Sequence, residues 1–315
     1  IIQTTGGITG DVSDLQKTVS NRAYLVDFDL ALSGDENDLI LTARQTRSFS
    51  DAGGASGSNG GAVAQALQNT VDAGLGGSQM ASMQMLGESD LNEAIHQMQP
   101  QAYQSASQVV GRQAGAVHAS TLGRIGAVQF ACRYGQKGLW DYALADAGKG
   151  QMGEAMRAAA ALGQMKKGQW IGYVRSLNDW GEADGDRNAS GYRWQTHGVD
   201  AGVETFADDN ILVGGSVTAL WSGVHGFDSS GKSDITSVYG SLHGSWFTDR
   251  GHVDAGLSYG HAWTETKRPI VPLGLRAEGD FESDIYSAFI GGGLFYDLAG
   301  YEVEPFVIFQ YTLRA

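Results

Sequence analysis

The chain has 315 residues, with 35 acidic against 21 basic side chains, a formal charge of -14, and one cysteine, Cys132. That balance excludes a nucleic-acid-binding surface, which must be basic to meet phosphates, and a lone cysteine excludes an internal disulfide framework. No apolar run reaches the roughly 18 residues that a membrane helix needs, so any crossing of a bilayer falls to strands.

The sequence opens on Ile1-Ile-Gln-Thr-Thr with no charged leader ahead of an apolar core, which leaves a cytoplasmic protein or a fragment. Residues 1–50 hold one hairpin-like pair. Tyr24–Leu32 alternates, Ser33–Asp38 turns, and Leu39–Ala43 returns. This piece is too short to hold a core alone and reads as the end of a larger β-structure. Ser48–Gly61, rich in Gly and Ser, reads as a flexible linker, with the boundary set at 51–61.

Residues 62–168 turn helical. One helix is expected over Ala62–Ala73 and another over Asp90–Met98, with Asp90 as N-cap, Glu93 at N3, and Pro100 as its stop. Residues 101–129 form a thin helix of Ala, Gly and Ser. No acid occurs from Ala94 to Trp140, whereas Arg112, Arg124, Arg133 and Lys137 do. Such a basic, slender helix fits inside a narrow acidic tube, where charges are screened less than at a surface. Met152–Met165 is a second, Ala-rich helical piece.

From residue 169 to residue 315 the chain alternates in long ribbons, about seven in number, starting near Trp170, Tyr192, Ile211, Ile235, Val253, Asp280 and Tyr301. In one of them Ile211, Val213, Val217, Ala219 and Trp221 are apolar, against Gly214, Ser216, Thr218 and Ser222. In the next, Val238, Leu242 and Trp246 oppose Ser237, Ser241, His243 and Ser245. A soluble sandwich and a transmembrane barrel both alternate in this way. Length favours the barrel, because soluble strands stop at about 5 or 6 residues while a tilted spanning strand needs roughly 9 to 11. The small polar face suits a water-filled lumen. Trp170, Trp180, Trp194, Trp221, Trp246, Phe247, Trp263, Tyr296 and Tyr301, near ribbon ends, suit an interfacial girdle. The polar faces carry Asp200, Glu204, Asp254, Glu302 and Glu304, which become candidate lumen acids opposite Arg112 and Arg124 of the thin helix.

The order of parts resembles the C-terminal half of an autotransporter, the type V secretion proteins of Gram-negative bacteria. The likeness is carried by Leu91-x-x-Ala-Ile-x-x-Met-x-Pro100, Gly191-Tyr to Val199-Asp-Ala-Gly-Val203, Ile211-Leu-Val-Gly-Gly-Ser216 and Glu302-x-Glu-Pro-x-Val-Ile-Phe-Gln-Tyr311. The resemblance implies an all-β antiparallel barrel of the outer membrane with a helical linker, the thin helix threading its pore. It also implies a passenger whose β-helical, autochaperone-like end is residues 1–50. Partners implied are outer-membrane lipid, the barrel-assembly machinery, periplasmic chaperones and the protein's own passenger, displayed at the cell surface. Seven ribbons cannot close a bacterial barrel, which has an even number and at least eight, so the barrel is expected to be truncated, with about five strands missing.

Chemistry elsewhere is thin, and no catalytic residue, cofactor or metal site is expected. Asp184-Gly-Asp-Arg-Asn188 begins like a calcium loop but has Ala189 at the sixth position and Gln195 at the twelfth, so it reads as a turn. His243, His252, His261 and Asp254 on neighbouring ribbons raise a barrel hydrolase as one alternative, and a soluble adhesive β-protein is another. By parity His243 and Asp254 share a face and His261 takes the other. Gly291-Gly-Gly293 reads as close packing or a bend. The resemblance also includes members that cut themselves at a pore-helix Asn, but no Asn occurs from Ala94 to Leu177, so the passenger is expected to stay attached or to be released by another protease.

Overall fold

The computed structural model describes residues 2–3, 23–32, 38–52, 54, 57–145, 167–186, 189–227, 230–299 and 301–315. Residues 33–37 of the turn expected at Ser33–Asp38 and the Ala-rich piece at 152–165 lie outside them. A small N-terminal sheet has β1 (Ile2–Gln3), β2 (Val26–Leu32) and β3 (Asp38–Gln45) in the order β1-β3-β2. The expected hairpin is present, with Leu32 opposite Leu39 and Val26 opposite Gln45. Its apolar face is covered by helices α1 (Gly57–Asp72), α2 (Gly77–Gln84) and α3 (Glu88–Met98), and Leu25, Phe28, Phe49, Met83, Leu91 and Ile95 form one core. The β-module therefore acquires its core from the helices that follow it.

Three expectations are corrected in this region. Helix α1 begins at Gly57, inside the stretch read as a linker, because its Gly- and Ser-rich first turn leads straight into Ala62-Val-Ala-Gln-Ala-Leu67. Within that stretch Gly54 is tied down, its N–H donating to Asn92 Oδ1 at 2.9 Å. Helix α3 is capped by Gly87 rather than by Asp90, so Glu88 and Asp90 both sit in its first turn, where the helix dipole favours acids. Pro100 does follow its end. Just upstream, the Ser48 N–H and Oγ–H both donate to Asp51, at 2.7 and 2.9 Å, and these bonds hold its carboxyl below the ordinary range.

Helix α4 runs from Gln101 to Ala145, well past the 101–129 expected for it. The ribbons form one antiparallel sheet of β4 (Trp170–Ala183), β5 (Tyr192–Asp208), β6 (Ile211–Gly226), β7 (Lys232–Thr248), β8 (Gly251–Ile270), β9 (Leu275–Leu294) and β12 (Phe306–Arg314), neighbours in chain order. The last expected ribbon is broken. Pro305 has no N–H to give to a ladder, so Tyr301–Val303 (β11) turns back on Tyr296–Leu298 (β10) as a small hairpin. Only from Phe306 does the chain join β9.

Helix α4 touches all seven strands of the sheet. At about 4.8 Å per strand a flat sheet of this width spans roughly 29 Å, far wider than one helix of about 10 Å. The sheet is therefore curled around α4. Strands of up to 20 residues, far beyond a soluble sheet's norm, build this wall.

The wall is inverted relative to a soluble protein. Facing α4 are Ser216, Thr218, Ser237, Ser241, Ser245, Ser258 and Ser287, all buried, while Val217 is 60% and Leu242 69% exposed on the other side. Trp221, opposite Thr236 and through it Trp263, marks one end of the apolar band, and Trp246, opposite Val253, marks the other. The two rows lie ten residues apart along β8, roughly 33 Å of strand, or about 25 Å of height at a tilt near 40°. Trp194 and Phe247 are corrected out of the girdle. Both face inward and are buried, Trp194 under Arg112 and Phe247 against Phe206.

Candidate functional site: a helix seated on a polar wall

The face of α4 that meets the wall is a stripe at helical spacing, with Ala106, Val110, Gln113, Ala114, Val117, His118, Thr121, Arg124, Val128 and Gln129 buried along it. Its upper part is apolar and packs Val110, Ala114 and Val117 against Leu220, Ile235, Tyr239 and Ile285. The thinness of the helix divides into two kinds. Ala106 and Ala114 lie in this contact, whereas Gly111, Gly123 and Gly126 have nothing within 4 Å of where a Cβ would stand.

Ladder register brings the polar groups into rows across the sheet. One row is Tyr173, Gly202, Ser216, Ser241, Ser258, Ser287 and Thr312. His118 reaches two members of it, with Nε2 2.9 Å from Ser258 Oγ and Nδ1 3.4 Å from Ser287 Oγ. In the next row Glu204 receives Arg124 Nε at 2.9 Å on one oxygen and lies 3.2 Å from His243 Nε2 on the other. Both side chains of the Arg124–Glu204 pair are essentially out of solvent, at 3% and 0% exposure. Asp200 accepts from Arg175 Nε at 2.7 Å and from Thr218 at 2.8 Å, while Arg175 Nη1 donates to the Ser120 carbonyl of α4. Asp254 accepts from Gln129 and Ser245 at 2.8 and 2.7 Å and faces His252 Nδ1 at 2.7 Å. Gln113 donates to Ser222 and accepts from Ser237, at 2.7 and 2.9 Å.

Of the residues expected from sequence, Arg124, Asp200, Glu204 and Asp254 thus meet at the helix–wall contact, with the pairing Arg124–Glu204 direct. Arg112 is exposed and stacks its guanidinium 4.3 Å over the Trp194 ring rather than on an acid. Glu304 lies beside the wall with Oε1 2.7 Å from His252 Nε2. Glu302 stands off the wall, on β11 opposite Asp297, because Pro305 separates that hairpin from the sheet. Sequence reasoning missed Gln113, His118, Gln129 and Arg175. The signal for the first three was the spacing of polar residues along α4 in step with Val110, Val117 and Val128.

Close backbone approach completes the site. A Cβ on Gly260 would stand 2.4 Å from the Tyr239 ring, and one on Gly214 2.6 Å from His243 Nε2 and 2.7 Å from Glu204 Cγ. Gly260→Ala is expected to push Tyr239 out of its fully buried position and to destabilise the fold by about 1–3 kcal/mol. Gly240→Ala, at a position with open space, is expected to be near neutral. Urea unfolding of the two variants in detergent micelles checks the difference.

The cluster of Ser245, Asp254 and His252 does not have the order of a hydrolase triad. Asp254 stands between Ser245 and His252, so the carboxylate, not the imidazole, meets the hydroxyl, and His252 turns its other nitrogen to Glu304. A hydrolase triad needs the imidazole in the middle. His261 faces outward beside Asp284, 2.8 Å away, as parity required. Among the described residues no group of His, Cys, Asp and Glu has the arrangement of a metal site. In the Asp184–Asp186 segment, Asp186 Oδ1 accepts from the Ala189 N–H at 2.9 Å.

A curled antiparallel wall with its apolar side outward and a helix seated on its polar side is the architecture of part of an outer-membrane β-barrel. Residues 172–313 match the model of the family described as Autotransporter beta-domain, so this segment is similar to the β-domains of autotransporters. The crystal structure of the beta domain of the Bordetella autotransporter BrkA is similar to this chain, with 14% identity and a TM-score of 0.37, over 46% of this chain and 58% of that one. The chain thus spans just under three fifths of that structure's length. Among curated proteins no match was found.

Proposed function

We propose that the wall and α4 form part of the conduit that exports the chain's own N-terminal passenger and then anchors it. The observation that carries this reading is the path of α4. At its start, Arg268 of the long β8–β9 hairpin donates to the carbonyl of Met98 at 2.9 Å. Further along, the Arg133 guanidinium lies 3.7 Å over Phe295, next to the short turn between β7 and β8. The chain therefore enters beside the two-residue turns Asp209–Asn210 and Asp249–Arg250 and leaves beside the long hairpin. Short turns face the periplasm and long ones the exterior in outer-membrane barrels, so everything before α4 stands outside the cell.

On this reading residues 1–50 are the autochaperone-like end of the passenger, and Arg124 with Glu204 registers the helix in the lumen. The barrel-assembly machinery and periplasmic chaperones deliver the strands, and export draws its energy from folding rather than from a nucleotide. The test is labelling of single cysteines on intact cells, in a Cys132→Ser background. Gln65→Cys on α1 is expected to react with an impermeant maleimide and Asp249→Cys to react only after lysis. Labelled chains should be full length, since α4 lacks an Asn. The reverse labelling pattern would overturn the proposal.

A further inference from the structure

We propose that the outer face of the wall, just above the upper tryptophan row, holds a phosphorylated lipid of the exterior leaflet. Ladder register places Glu182, Arg193, His225, Lys232, Lys267 and Glu278 in a single row on β4 to β9, on the side away from α4. Four consecutive members are basic in a chain that is strongly acidic. Neighbouring strands are about 4.8 Å apart, so Arg193, His225 and Lys232 bring three potential cations within roughly 10 Å. Arg193 and Lys232 make no ion pair among the described residues, whereas Lys267 Nζ lies 3.6 Å from Glu265. Asp234 and Glu265, one row nearer the bilayer, confine a phosphate to the height of the cationic row.

A cleft of about 930 Å³ opens at the same place, lined by Trp180, Trp221, Arg193 and His225 among others. Its floor is Gly223, where an added Cβ would meet only His225 Nε2, at 3.8 Å. Trp180 and Trp221 are 73% and 51% exposed and stand as apolar walls at the edge of the hydrocarbon band. An acyl chain against the two indoles and a phosphate on Arg193 and Lys232 match the two halves of this surface. Aromatic rings at the interface and surface cations are the features that hold such a lipid. The occupant is a lipid phosphate rather than a free one, because on the β4–β6 side the cleft continues from the cations past Trp180 and Gly223 to Trp221 and the hydrocarbon band.

The orientation argued above says which leaflet the site faces. The test is made in detergent micelles and does not depend on it, so the two readings fail separately. The protein is titrated with diphosphoryl lipid A, with monophosphoryl lipid A and with inorganic phosphate, and binding is followed by native mass spectrometry. Diphosphoryl lipid A is expected to bind tightest, and the Arg193→Gln/Lys232→Gln variant to weaken it by about thirtyfold, the effect of removing two surface cations. Gly223→Leu fills the cleft from the lipid side and should weaken both lipids while leaving the heat stability of the barrel unchanged. Equal affinity of the double variant and the parent protein, or full competition by inorganic phosphate, would overturn the proposal.

Discussion

Glu204→Leu is expected to destabilise the protein by about 3–5 kcal/mol, the largest effect of any single substitution proposed for the wall. The reason is what it leaves behind. Arg124 and His243 converge on the two oxygens of Glu204, and all three side chains are out of water. With the carboxylate gone, the Arg124 guanidinium keeps the Tyr173 ring 4.7 Å away, but a ring face does not replace an anion. Removing both partners is a different matter. Arg124→Met combined with Glu204→Leu deletes both charges, and buried pairs replaced by apolar groups are often neutral or better. The double variant should therefore recover most of the loss, which urea unfolding in micelles will show as a large coupling energy. A double variant as weak as the sum of its single variants would mean that the pair is not what seats the helix.

Ala114→Phe is expected to cost about 1–3 kcal/mol, or more if α4 is forced off the wall. Ala114 has no exposed surface and lies in the cluster with Leu220, Tyr239 and Ile285, so six more ring carbons have no space to enter without moving the helix. Ala119, five residues on, is exposed. Ala119→Phe is the control, and near-neutral stability is expected there. Equal losses at both positions would show that the two sides of α4 are equally confined.

The alternation of the ribbons made the wall legible, because period-2 patterning is a property of the strand itself and survives whatever the strand packs against. The side taken by Val217 or Ser241 followed directly. Tertiary placement was less legible. Trp194 and Phe247 look like girdle residues by composition, yet their parity points them at α4, and an aromatic near a strand end carries no label saying which medium it meets. Alternation continues across Pro305, so the strand pattern alone puts Glu302 on the wall although the proline takes it off the ladder. The cap of α3 was misplaced because Asp90 is a better capping residue than Gly87, whereas packing of Leu91 and Ile95 set the helix start. In the site, the basic character of α4 was plain. The pairing of Arg124 with Glu204 depends on the rotation of a helix against a sheet about 80 residues away in sequence, and no local pattern records that angle.

The hairpin between β8 and β9 rises beyond the apolar band and puts Ile270 into the N-terminal core alongside Phe49 and Ile95, while Val271 N–H donates to Gln97 Oε1 at 2.7 Å. A tether built this way has mechanical consequences. Force applied to whatever lies upstream reaches the wall through Ile270 and Arg268 as well as through α4, and so runs along the axes of β8 and β9. Loaded in that direction, the ladders that join this hairpin to β7 and to β12 resist in shear, with many hydrogen bonds strained together rather than unzipped one after another. Drag on the surface portion is thus spread over the longest pair of strands in the wall instead of falling on a single helix.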